Sequence, residues 1–307
     1  MRAPKTWRIR PPLRTPCGCS SGATACRADG VLGPATLRAL NVTAQRRAEQ
    51  LRVNLERWRW LPRAFPDRHI EVNIPAYTLR LIEGGRITLR MNAIVGRSYR
   101  QTPVFSARMT YLGLNPYWEV PAKLARLDVL PRVRADARYL QDMGFEVLQG
   151  WGTEERRLDP ADIDWQSLDG GALPFRLRQA PGPRNALGRI KFMFPNPYNV
   201  YIHDTPHREL FGMSRRDFSS GCIRISRPID LASRLLEGTG DWMEARLEQA
   251  TETGEPTVTV PLARPVEVHV LYFTAWAGED GALQLRDDIY RRDGDVLRGL
   301  DAPPPGS

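Results

Sequence analysis

Apolar residues occupy every second position in two separate stretches of this 307-residue chain, residues 70–74 and 190–194. Successive side chains of a β-strand point to opposite faces, so this alternation predicts strands with one buried face. Further alternating runs flank Gly84–Gly85, which predicts a two-residue hairpin turn. Few segments show helical spacing. The sequence therefore predicts a mainly β (α+β), sandwich-like fold with flanking helices.

Three segments show helical signals instead. Thr43 can cap a helix that Pro62 ends, which predicts a linker helix over 43–62. Its apolar residues recur every three or four positions and predict one packing stripe: Ala48, Leu51, Leu55 and Trp58. Two later helices are expected over 228–236 and about 241–249. A closing hairpin is expected to pair residues 266–272 with 283–285.

Residues 121–184 are rich in Arg, Asp and Pro and interrupt the β pattern. They look helical between Pro131 and Met143, while Trp151 and Trp165 lie among polar residues. A polar insertion between two β blocks is often a lid over a site, so a capping insertion is expected. The alternative is a surface subdomain that never contacts substrate.

The two ends of the chain lack either periodicity. Residues 1–28 are expected to be disordered or a mis-annotated N-terminus, and 294–307 a disordered tail. A basic start is present without the apolar segment of an export signal, so the true gene product is expected to begin further upstream. No stretch approaches the ~20 apolar residues that a membrane helix needs.

The net charge of +9 raises the question of nucleic acid. Only three of the 44 basic residues are lysine, and the arginines are spread among acids. No nucleic-acid partner is therefore expected, whereas a basic surface suits a polyanionic cell envelope. Three of the four cysteines, Cys17, Cys19 and Cys26, crowd the first thirty residues without a nearby fourth zinc ligand. Neither a metal nor a disulfide scaffold is expected.

Cys222 stands alone in the globular part and follows Gly221 at a predicted turn. Such a turn can expose the sulfur and aim the N–H groups of Gly221 and Cys222 at developing negative charge. His203 ends an alternating strand and can take the thiol proton, oriented by a backbone carbonyl or the Asp204 region. The alternatives are a buried small hydrophobic cysteine and a structural histidine. His207 is the only other histidine nearby.

The motif HDTP followed by SSGCIR resembles the active-site signature of the L,D-transpeptidases of the YkuD type. Residues 178–192 and 114–121 resemble strands of the large Gram-negative members, and 121–184 resembles their capping insertion. Residues 29–42 are similar to the last third of a peptidoglycan-binding module and are expected to be its remnant. The resemblance covers about 29–293, with a catalytic domain over 68–293.

The resemblance implies that Cys222 is the nucleophile and His203 the general base. It implies that the backbone N–H groups of Gly221 and Cys222 form the oxyanion hole, without metal or organic cofactor. Supporting residues are expected at four positions: Tyr201, Asp204, Ser220 and Arg224. Arg224 is expected to hold the active-site loop. Many family members have histidine where this chain has Ser220, so a second imidazole is not expected here.

The implied activity is peptidoglycan transpeptidation in the periplasm or cell envelope. Cys222 would form a thioester with one stem peptide, release D-Ala and pass the acyl group to a second stem, giving a 3→3 cross-link. The same chemistry with water, a D-amino acid or an envelope lipoprotein as acceptor stays open. So do a non-catalytic peptidoglycan-binding protein and an unrelated basic binding protein.

Overall fold

A computed structural model describes residues 7–8, 31–168, 171–252 and 257–303. Its strands are β1 Trp7–Arg8, β2 Val31–Leu32, β3 Arg68–Asn73, β4 Thr78–Glu83, β5 Arg86–Gly96, β6 Phe105–Leu114, β7 Trp118–Glu119, β8 Phe145–Gln149, β9 Arg156–Leu158, β10 Arg176–Gln179, β11 Ile190–Met193, β12 Ile202–His203, β13 Asp217–Ser219, β14 Ile223–Ile225, β15 Val258–Leu271, β16 Ala275–Ala277 and β17 Leu283–Leu285. Its α-helices are α1 Pro34–Leu40, α2 Ala44–Arg59, α3 Ala122–Leu124, α4 Leu130–Ala135, α5 Tyr139–Asp142, α6 Pro228–Leu236, α7 Glu244–Glu252 and α8 Asp293–Asp301. The predicted mainly β fold with several helices is confirmed.

Internal contacts divide the chain into two units. The first comprises Met1–Ser106, Glu209–Gly221 and Glu267–Ser307, and the second comprises Ala107–Arg208 and Cys222–Val266. Among the described residues, no helix is long and apolar enough to cross a membrane.

In the first unit, β3, β4 and β5 form an antiparallel meander, and β13 runs parallel to β5. The predicted turn at Gly84–Gly85 is confirmed: both glycines have positive φ (56° and 73°) and join β4 to β5. Such backbone conformations suit glycine, which lacks a Cβ. The alternating apolar side chains are fully buried, as expected for the inner face of this sheet: Ile70, Val72, Ile74, Leu79 and Leu81.

The predicted closing hairpin is wrong in its pairing. Residues 267–271 of β15 pair in parallel with β3, and the antiparallel hairpin is formed by β16 and β17 instead. Asn54 explains the break between them, because its side chain accepts from the Thr274 N–H (2.9 Å) and donates to the Thr274 hydroxyl (2.8 Å). Those bonds hold Thr274 outside both strands.

Helix α2 begins where predicted, since the Thr43 hydroxyl accepts from the Arg46 N–H. The predicted apolar stripe is wrong: Leu51, Leu55 and Trp58 are exposed. The buried side chains are Val53, Asn54 and Arg57. The buried face differs from the expected one because its polar side chains have partners inside the unit. The amide of Asn54 is hydrogen-bonded to Thr274, and Arg57 forms an ion pair with Asp293.

The predicted disorder of 294–307 is wrong for residues 294–301, which belong to α8. Asp293 begins this helix with an ion pair to Arg57 (2.6 Å) and a hydrogen bond from Thr274 (2.8 Å). These contacts supply order that a Pro-rich composition does not reveal. Residues 304–307 lie outside the described residues.

Disorder was also expected over residues 1–28, most of which lie outside the described ranges. Trp7 and Arg8 are described and pair with Leu32 and Val31. Their backbone groups pair with a strand that the local sequence does not predict. The expectation that 1–28 is disordered or a mis-annotated N-terminus stays a prediction.

In the second unit, β11 pairs with both β6 and β12, and β12 runs parallel to β14. The segment 121–184 contains more than the predicted helices. Its strands β8, β9 and β10 join β7 in a four-stranded sheet with its own apolar core. Trp165, expected among polar residues, is buried there with its indole N–H donating to the Pro160 carbonyl. Helical structure over 131–143 is confirmed as α4 and α5, with a break between them.

Candidate active site

Strand register in the second unit brings the sequence-predicted residues onto one face. His203 pairs with Arg224 across β12 and β14, and with Lys191 across β12 and β11. Paired residues share a face, and residues two positions apart do so as well. Cys222 and Tyr201 therefore join these three. The opposite face is apolar and fully buried, which fixes the register: Phe192, Ile202 and Ile223.

Cys222 is half-buried at the end of the turn before β14. Its thiol points toward the Asn199 carbonyl at 3.9 Å, and the Tyr201 hydroxyl donates to its sulfur. Burial raises the thiol pKa, while the hydrogen bonds from Tyr201 and the charges of Lys191 and Arg224 oppose that rise. The resting group is thus a thiol surrounded by groups that favour its thiolate.

The turn before Cys222 is held by hydroxyl groups. The Thr102 hydroxyl donates to the Gly221 carbonyl (2.8 Å), and Ser219 Oγ accepts from the Gly221 N–H (3.1 Å). Gly221 has φ +118°, a conformation that favours glycine. The Gly221 N–H, expected in an oxyanion hole, is thus engaged by Ser219. An oxyanion would have to compete with that bond.

His203 is buried, and its Nδ1 lies 2.5 Å from the Asp204 carbonyl. A carbonyl only accepts, so Nδ1 carries the proton and Nε2 is the basic atom. Burial and the positive charge of Arg224 lower the pKa of His203 to about 3, with Lys191 adding to the effect and hydrogen bonds to the backbone of Asp204 and Leu187 opposing it. The imidazole is therefore neutral near pH 7.

Asp204 supports the site through its backbone and its side chain. Its carboxylate accepts from the Arg189 N–H and from Arg208, both at 2.9 Å. Gly188 has φ +61°, and a Cβ there would lie only 2.4 Å from the carboxylate. The carboxylate thus fixes the loop beside β11, while the carbonyl orients His203.

The other predicted residues are placed as follows. Ser220 is exposed, and its hydroxyl accepts from Arg100 (2.9 Å). Arg224 acts on His203 and Cys222 through its charge, while its expected role in holding the loop stays a prediction. The His207 side chain is exposed on the loop after Pro206.

Sequence reasoning missed Lys191 and Trp118. The Lys191 ammonium lies 4.1 Å from the centre of the Tyr201 ring, and the Trp118 indole donates to the Tyr201 hydroxyl. A signal for Lys191 was available, because it is the polar position between buried Ile190 and Phe192. Trp118 gave no such signal. Within the described residues, no group of three or more His, Cys, Asp or Glu is placed to hold a metal ion.

Comparisons with known proteins bear on the family to which the chain belongs. A curated Haemophilus influenzae protein, provisionally named an L,D-transpeptidase, is 37% identical over 247 residues, which are 80% of this chain and 48% of that protein. The chain thus spans about half the length of this relative.

Solved L,D-transpeptidases are much more distant in sequence. The Mycobacterium smegmatis enzyme is 12% identical, covering 67% of this chain and 58% of that chain, with a TM-score of 0.30. L,D-transpeptidase 3 from Mycobacterium tuberculosis is 13% identical, covering 67% of this chain and 61% of that chain, with a TM-score of 0.31. The model of the L,D-transpeptidase catalytic domain, named YkuD, matches residues 67–260, and the chain belongs to that family.

Proposed function

We propose that this protein is a peptidoglycan L,D-transpeptidase that forms 3→3 cross-links through a thioester on Cys222. The observation that supports it most is the shared face of Cys222 and His203, with a neutral imidazole whose Nδ1 is held by a carbonyl. An acyl-transfer enzyme needs this combination of a thiol and a base in its neutral form.

In the first step, Cys222 Sγ attacks the carbonyl carbon at the L-centre of the third, diamino residue of a tetrapeptide stem. The thiol proton passes to His203 Nε2 as the C–S bond forms. The C–N bond to D-Ala then breaks, and His203 returns the proton to the leaving amine. A thioester remains on Cys222.

In the second step, the side-chain amine of another stem attacks the thioester carbonyl. Its proton passes to His203 and then to the departing sulfur, so the thiol is regenerated and an amide is formed. No metal or organic cofactor takes part in either step.

The low pKa of His203, about 3, constrains this sequence. An imidazolium in this site is costly, so it does not accumulate as an intermediate. Proton transfer to His203 is therefore coupled to C–S bond formation, and the proton moves on when the leaving amine departs. Groups that stabilise negative charge on sulfur, rather than a strongly basic imidazole, favour the attack.

The proposed substrates are stem peptides, and the proposed location is the periplasm or cell envelope. The donor chemistry is common to every acceptor considered for this site. Product analysis with tetrapeptide stems separates cross-linking from hydrolysis, exchange with a D-amino acid, or attachment of an envelope lipoprotein.

Intact-protein mass after incubation with a carbapenem tests the acyl-enzyme. We expect one adduct on the wild type, no adduct on Cys222→Ala, and much slower formation on His203→Ala. The Cys222→Ala control also reports any reaction at the three N-terminal cysteines. A folded wild type without an adduct, or an adduct that persists in Cys222→Ala, would contradict the proposed nucleophile.

A further inference from the structure

Lys191 is a basic residue that the two proposed chemical steps do not use. It lies on β11 directly opposite His203, half-buried, on the face that carries Cys222. Its ammonium lies 4.1 Å from the centre of the Tyr201 ring. Lys123, by contrast, is exposed on α3. Burying a cation next to a reactive thiol costs free energy, so a compensating electrostatic role is the natural explanation.

Tyr201 connects this charge to the sulfur. Its hydroxyl oxygen accepts from the Trp118 indole N–H, and its single proton is directed at Cys222. The Lys191 ammonium over the aromatic face is attracted by the ring's electrons, and this attraction favours a position of the charge beside Tyr201. Burial and the negative charge of ionised Cys222 raise the pKa of Tyr201 well above its ordinary value, so the hydroxyl keeps its proton and can donate it to a thiolate.

Charge coupling between Lys191 and Cys222 runs in both directions. Burial lowers the pKa of Lys191, and the negative charge of ionised Cys222 raises it. Burial raises the pKa of Cys222, while Tyr201, Lys191 and, with a smaller effect, Arg224 lower it. Each group thus stabilises the charged form of the other, as expected for a cation and a thiolate in a partly dry site.

We propose that Lys191 and Tyr201 act together as the thiolate-stabilising pair of this site, with Lys191 supplying the charge and Tyr201 the hydrogen bond. The inference rests on the proposed role of Cys222 as nucleophile. Lys191 is a positioning residue in this arrangement, because it acts on the sulfur through its charge and through Tyr201. Its side chain is not required to touch substrate.

The test is the pH dependence of Cys222 alkylation by iodoacetamide, read at the Cys222 peptide by mass spectrometry. The variants are Lys191→Met, Lys191→Arg and Tyr201→Phe, with Lys123→Met as the matched control and circular dichroism as the check on folding. Lys191→Met should raise the apparent thiol pKa by roughly one unit and slow alkylation near neutral pH by about tenfold. Tyr201→Phe should also raise the apparent thiol pKa. Lys191→Arg keeps the positive charge and should keep most of the wild-type pH profile.

The outcomes separate this inference from the proposed function. If folded Lys191→Met and the wild type show the same pH profile of alkylation, the inference is overturned. If Lys191→Met does not fold, a Tyr201→Phe profile that matches the wild type overturns the inference. If Lys123→Met raises the apparent thiol pKa by the same amount, the cause is the general surface charge of the protein, and the inference is also overturned. Wild-type Cys222 that resists both iodoacetamide and a carbapenem would instead contradict the proposed nucleophile.

Discussion

The neutral state of His203 follows from its surroundings. A histidine in a short peptide titrates near pH 6.5, whereas burial and the charge of Arg224 bring its pKa to about 3 in the folded chain. Between these two values the unfolded chain binds more protons than the folded chain. Stability must therefore fall as the pH falls through this window.

This gives a measurable difference between two histidine variants. Relative to His203→Gln, the wild type should lose about 1.4 kcal/mol of unfolding free energy per pH unit between about pH 6 and 4. Urea unfolding at several pH values measures it. His207→Gln changes an exposed histidine and should follow the wild type. Parallel curves for the wild type and His203→Gln would contradict the buried neutral imidazole.

Gly188 is a second position where the site depends on one residue, because only glycine fits beside Asp204. A methyl group there would overlap the Asp204 carboxylate, and φ is +61°. Gly144 has a similar φ of +70° with nothing within 4 Å of an added Cβ.

Gly144→Ala should therefore cost only the backbone strain, about 1 kcal/mol, while Gly188→Ala should cost several kcal/mol and slow Cys222 acylation. Urea unfolding and adduct formation measure the two effects. Equal costs for both substitutions would show that Asp204 moves aside freely.

At the scale of elements, strand periodicity predicted better than helix periodicity. The alternation at 70–74 and 190–194 indicated buried strand faces, because in these strands burial of one face decides which residues are apolar. In α2 the same reasoning selected the exposed side. The buried side is satisfied by partners more than 200 positions away, Thr274 and Asp293, which local spacing does not reveal.

The corrected face of α2 predicts opposite responses at neighbouring positions. Asn54→Ala leaves the Thr274 N–H without its acceptor and should lower the free energy of unfolding by about 2–3 kcal/mol. Leu55→Ala, at a side chain 65% exposed, should change it by less than about 0.5 kcal/mol. Chemical denaturation of both variants measures the two changes in the free energy of unfolding. A larger loss in Leu55→Ala would restore the apolar stripe as the packing face.

At the scale of the whole molecule, the sequence motifs identified most of the residues that lie together on one face of the sheet. Tyr201, His203, Cys222 and Arg224 meet because β12 and β14 pair in register. Lys191 and Trp118 were missed because their roles depend on side-chain contacts between strands. The internal sheet of 121–184 was missed because its short strands lack clear alternation.

The central claim is that a stem peptide becomes covalently attached to Cys222. The most direct test is intact-protein mass after mixing the protein with a tetrapeptide donor whose side-chain amine is acetylated, so that no acceptor amine is present, followed by mapping of the modified peptide. We predict a mass gain equal to the tetrapeptide minus D-Ala, located on Cys222, absent in Cys222→Ala and released by an added amine. Turnover of the donor by Cys222→Ala at the wild-type rate would contradict the account.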